Sequence, residues 1–97
     1  MTKFEEKNKE NIDRLDKFIA ENEADIIKII ISAELETFFI EHYKMIEGFK
    51  NHFKLGKIRV IVDYYQPPKR VYFIRRSESI DFNIPCMCGI YSNEPHP

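Results

Sequence analysis

The sequence predicts an α+β fold, with an N-terminal helical pair packed on a three- to four-stranded antiparallel sheet, and three observations lead there. Residues 3–55 contain no proline and one glycine, Gly48, and their apolar side chains recur at helical spacing. Residues 57–65 alternate apolar and polar instead, which is the period of a strand. The turn Gln66-Pro67-Pro68-Lys69 then separates them from a second alternating run, because two prolines cannot serve a hydrogen-bonded ladder. At 97 residues, 43% apolar and 32% charged, the chain forms one domain spanning residues 1–97, with enough apolar surface to close a core.

Twelve charges fill residues 3–23, and Ile12, Leu15, Phe18 and Ile19 make the apolar stripe of a first helix. Residues 1–10 offer little beyond Phe4 as an anchor, so that end is expected to fray. Asn22 with Asp25 three residues on resembles a capping box that restarts a helix. Ala24, Ile27, Ile31, Leu35, Phe38, Met45, Phe49 and Phe53 keep a helical period, which favours one long helix antiparallel to the first. The competing reading makes residues 25–31 a strand, since they are dense in isoleucine, with Ser32 capping a fresh helix at Ala33. Both readings share a helix from Ala33 to Lys54, ended by Gly56.

Residues 57–65 and 70–76 form a hairpin in which Tyr65 faces Arg70 and Arg59 faces Arg76. Ile80, Phe82 and Ile84 mark a third strand, residues 86–91 offer a short fourth, and residues 92–97 are expected to be a disordered tail. Phe18, Leu35, Phe38, Phe39, Ile46, Phe49, Val60, Val62 and Phe73 should be core. Phe39, Ile40 and Tyr43 widen the helix stripe beyond what one small sheet covers, which points to a homodimer seam.

Composition rules against several classes of function. The charged N-terminus has no apolar segment behind it, and no apolar run approaches the ~20 residues a bilayer needs, so a cytoplasmic protein that does not engage membranes is expected. Two cysteines make no disulfide framework. Cys86, Cys88 and His96 are the only metal candidates, and they lack the paired motif of a closed zinc site, so neither metal nor cofactor is expected. His42 and His52 lie ten residues apart and do not converge on one helix face. With three glycines, no phosphate loop and no nucleophile arrangement, the chain does not read as an enzyme.

Charge is the remaining signal. Residues 57–77 hold six basic residues and one acid, in a chain whose net charge is −1. Arg59, Tyr65, Lys69, Arg70, Tyr72, Arg75 and Arg76 are the candidate contact residues, since arginine and tyrosine are the types that most often anchor interfaces. The expected function is non-enzymatic binding of a protein target by surface occlusion. Abundant Ile, Lys, Asn and Phe resemble AT-rich coding, which suits a phage- or mobile-element-encoded inhibitor of a host enzyme or defence complex. The alternative partner is single-stranded DNA or RNA on the basic, tyrosine-containing hairpin face.

Overall fold

A computed structural model of the chain describes residues 3–48, 52–65 and 70–83. Two helices open it, α1 (Lys3–Lys7) and α2 (Lys9–Asn22), separated only by Asn8. The backbone ladder continues through Asn8, whose N–H donates to the Phe4 carbonyl at 3.0 Å while its own carbonyl accepts from Ile12 at 2.7 Å. Phe4 is buried against Phe38, with ring centroids 5.0 Å apart, so the first turn is anchored in the core.

Next comes β1 (Ile26–Ser32), then a 3-10 turn over residues 33–35 and α3 (Glu36–Tyr43). The chain then runs through β2 (Ile46–Glu47), β3 (His52–Leu55), β4 (Ile58–Asp63), β5 (Arg70–Arg75) and β6 (Ile80–Asn83). The strands lie in the order β2-β3-β4-β1-β5-β6, a mixed sheet of five main strands with β2 as a two-residue edge. The class is α+β, and the sheet is larger than the expected three or four strands and is not purely antiparallel.

The cause is β1. Its isoleucines are β-branched, stiff at χ1 and suited to a pleated surface. It pairs in parallel with β4, Ile29 facing Val60 and Ile31 facing Val62, and antiparallel with β5, Ile29 facing Phe73 and Ile31 facing Val71. All six of these side chains are buried. An extra residue, Ile27, bulges from the β5 pairing, so Ile26 and Ile29 both reach the core although three positions apart.

Four sequence expectations are corrected here. Residues 26–32 are strand, so the long helix is absent and only Glu36–Tyr43 of the segment from Ala33 to Lys54 is α-helical. Lys44 at φ 52° closes α3, its N–H donating to the Ile40 carbonyl. Gly56 ends no helix; at φ 62° it makes the tight turn between β3 and β4, where Leu55 faces Ile58. Finally, β4 and β5 are not a hairpin, because β1 lies between them, and Arg59 does not face Arg76.

The helices cover one face of the sheet. Phe18 of α2 packs on Phe73 and Phe82 at centroid distances of 4.8 and 5.8 Å, and Phe38 and Phe39 of α3 are buried beside them. Of the expected core, Leu35, Phe38, Phe39, Val60, Val62 and Phe73 are buried, Phe18 packs on its edge, and Phe49 lies outside the described residues. Ile46 is 74% exposed, because in β2 it points away from the core. Of the residues read as a dimer seam, Phe39 is fully buried in the chain's own core, and Ile40 and Tyr43 are half-buried against it. Among the described residues, no helix is long and apolar enough to cross a membrane.

Ser32 gives a test of this packing. It takes the backbone conformation of an N-cap ahead of Ala33, but its buried hydroxyl makes no capping bond and has no partner among the described residues. Ser32→Ala should therefore leave the melting temperature unchanged or raise it, since it removes an unsatisfied polar group. Phe39→Ala should cost about 3–5 kcal/mol in denaturant unfolding, as a large buried ring is lost. Equal destabilisation by the two would contradict the placement.

Candidate functional site

The opposite face of the sheet carries no helix among the described residues, and pleating decides what it displays. Strand register arranges its side chains in rows across the strands. In one row Lys54 of β3 faces Arg59 of β4, which faces Lys28 of β1, which faces Ile74 of β5. Two residues along, His52 faces Ile61, Ile61 faces Ile30, Ile30 faces Tyr72, and Tyr72 faces Asp81 of β6. Asp63 stands two residues beyond Ile61 on β4, opposite Ser32. Ile30, Ile61, Tyr72 and Ile74 are half-buried, whereas His52, Lys54, Arg59 and Asp81 are exposed.

Three cations thus stand side by side, with neighbouring strands about 4.8 Å apart. Like charges directly opposite one another destabilise a sheet. None of Lys28, Lys54 and Arg59 forms an ion pair with a described residue.

The basic charge on β5 is handled differently. Arg70 donates from Nε and Nη2 to the two oxygens of Asp81 at 2.6 and 2.9 Å, and its guanidinium lies 5.0 Å from the Tyr72 ring centroid. This contact covers Tyr72, whereas the other ring of the two rows, His52, is exposed at their β3 end. Arg75 is on the helix side of the sheet. It donates to Asn22 Oδ1 at 3.1 Å, to the Glu78 carbonyl at 2.8 Å and to Ser77 Oγ at 2.9 Å, and lies 5.4 Å from the Phe18 ring. These bonds fasten the end of α2 to β5, and Asn22 serves them in place of the expected capping box. Arg76 is exposed; its N–H donates to the Asp25 carbonyl.

Of the residues singled out from the sequence, Arg59, Arg70 and Tyr72 therefore share the open face, whereas Arg75 and Arg76 do not. Tyr65, 98% exposed, projects from the end of β4, its N–H donating to Asp63 Oδ1 at 2.9 Å. Lys69, Cys86, Cys88 and His96 lie outside the described residues. Sequence reasoning placed Ile61 on the face of Arg59 and Tyr72 but missed Lys28, Lys54 and Ile30 as members of the same surface. The alternation of Lys28 and Ile30 with Ile29 and Ile31 was the available signal.

Two other polar places are built differently. Asp16 of α2 accepts from the Tyr43 hydroxyl at 2.6 Å and lies 3.2 Å from His42 Nε2, while Phe38 stacks on the imidazole at 4.9 Å. Burial first, then Asp16, pushes the Tyr43 phenol far above its ordinary pKa, so it stays protonated as the donor. The adjoining cavity of about 70 Å³ has room for roughly two waters rather than a substrate, and the cluster clasps α2 to α3. An open depression of about 900 Å³ lies between the end of α2 and the β3–β4 turn, lined by Glu21, Glu23, Ile27, Lys57 and Arg76. Its charges are of mixed sign. Among the described residues, no group of three or more His, Cys, Asp or Glu side chains is arranged to hold a metal.

No protein-family model matches the chain, and no curated protein or solved structure matches it.

The join between α2 and β5 is titratable. Asp25 accepts from Ser77 Oγ at 2.5 Å and lies 3.4 Å from Arg75 Nε. The Ser77 hydrogen bond, followed by the Arg75 charge, outweighs desolvation and holds the carboxyl below its ordinary range. A carboxylate favoured in the folded state stabilises it fully above the unfolded pKa, and that contribution fades as pH falls through the folded value. Asp25→Asn should therefore lower the melting temperature at neutral pH, and the gap to wild type should narrow below about pH 4. A gap independent of pH would contradict this role.

Proposed function

We propose that the chain is a non-catalytic binding protein that lays its open sheet face on a partner protein and acts by covering that partner's surface, as an inhibitor or regulator does. The observation behind this reading is the arrangement of the face itself. Ile30, Ile61, Ile74 and Tyr72 form a half-buried apolar centre, and Lys28, Lys54, Arg59, Arg70, Asp63 and Asp81 surround it. An apolar centre within a charged rim is the usual anatomy of a protein interface. Tyr65, standing clear of the sheet end, is of the type that most often anchors such contacts.

The three-cation row favours the competing reading, single-stranded nucleic acid. Sequence-tolerant binding of that kind also needs aromatic rings on which bases stack. Here the row beside the cations is aliphatic at its centre, Ile61 and Ile30; of its two rings, Tyr72 lies against Arg70 and His52 stands at the opposite end on β3. The compartment proposed is the cytoplasm, since two cysteines are too few for the disulfide framework of a small secreted domain.

Photo-crosslinking in cells that naturally make the protein tests this reading. A photoreactive phenylalanine in place of Ile61 should give adducts with polypeptide, and one in place of Asp13, exposed on α2, should not. Unlabelled wild type should compete the adduct away, and Ile30→Asp with an unchanged circular dichroism spectrum should fail to compete. Adducts only with nucleic acid, or equal adducts from both positions, would overturn it.

A further inference from the structure

We infer that the occupant of the open face is an amphipathic helix with carboxylates along one flank, an inference that rests on the protein-docking reading. Both rows on the face run across the strands, so their geometry constrains what can lie there. Lys54, Arg59 and Lys28 advance by one strand each, in steps of about 4.8 Å, and the apolar row Ile61, Ile30 and Tyr72 runs alongside, displaced two residues or about 7 Å along the strands. An occupant crossing the strands meets both rows at once. It must present apolar groups on one line and anions on a parallel line beside it.

A helix satisfies this condition. Its residues at i and i+3 or i+4 advance about 4.5–6 Å, which brackets the strand spacing, and its width of about 10 Å places a polar flank beside the apolar stripe. An extended peptide fits poorly. Its same-face residues recur at about 6.6–7 Å, and its alternate residues point to opposite sides, so it cannot offer both lines to one surface. Nucleic acid could place phosphates over the cations, but the centre of the apolar row, Ile61 and Ile30, is aliphatic, and its two rings, His52 and Tyr72, stand three strands apart at opposite ends, with Tyr72 against Arg70.

Charge sets the orientation. The cation row forms no ion pair with described residues, so acidic groups above it would relieve repulsion already present in the free protein. On the far side of the apolar row stand Asp63 and Arg70, and the charge of Arg70 is met by Asp81 at the β6 end of the row. The acidic flank of the helix therefore lies over Lys54, Arg59 and Lys28, and its opposite flank lies toward Asp63.

The test uses the full chain and synthetic helices of about 18 residues, long enough to form on binding. One carries leucines on one stripe and glutamates on a flank, a second replaces those glutamates with lysines, and a single-stranded oligonucleotide of about 12 nucleotides is the third probe. Fluorescence anisotropy should show the glutamate helix binding at least about tenfold more tightly than the lysine helix, a preference that shrinks with added salt. Amide shifts should map to residues 28, 30, 59 and 61. Lys28→Glu with Arg59→Glu should reverse the preference; Lys54→Glu alone, on exposed β3, should weaken it if the double variant does not fold. Equal binding of the two helices, or binding of neither, overturns this inference, while adducts from position 61 decide docking separately. Tighter binding of the oligonucleotide on the same residues overturns both.

Discussion

The double pairing of β1 is the constraint on which the other features depend. A strand paired on both edges and buried on one face must be apolar on that side, and Ile29 and Ile31 meet Val60, Val62, Val71 and Phe73 there. Because β4 runs parallel to β1, the chain needs a crossover between them, and the turn at residues 33–35, α3 and the β2–β3 excursion supply it. Because β5 takes the other edge, the two basic strands are held apart by the width of β1. Their arginines therefore do not meet.

A two-layer structure follows. Both helical segments cover the same side of the sheet, fastened to one another by Asp16 with His42 and Tyr43, and to β5 by Arg75 with Asn22 and Asp25. Polar residues in these joins are satisfied internally, which removes Arg75 from the surface chemistry. The other side of the sheet keeps an isoleucine at its centre. In a sheet solvated on one face that position would ordinarily be polar, so Ile30 and Ile61 give the proposed docking surface its apolar centre.

Much of this was legible in the sequence, though not the long-range pairing. The stripe of α2, the alternation of β4 and β5 and the third strand at Ile80 and Phe82 were all readable from local period. The favoured single long helix failed because Ile27, Ile31, Leu35, Phe38 and Met45 keep helical intervals across strand and helix alike, whereas the competing strand over residues 25–31 held; β3, with four residues, is too short to display its alternation. Isoleucine density was the better guide, and tertiary pairing decided it. The candidate surface was half visible for the same reason. Arg59, Arg70 and Tyr72 lie on strands identified from sequence, whereas Lys28 and Ile30 lie on a strand that was the less favoured of two readings and Lys54 on one read as helix.

Backbone nuclear Overhauser contacts test the central position of β1 most directly. The structure predicts contacts from Ile30 to both Ile61 and Tyr72, with the slowest amide exchange in the sheet at residues 29–31. Direct cross-strand contacts between Val62 and Phe73, together with helical contacts through residues 26–31, would contradict it and return the two basic strands to a simple hairpin.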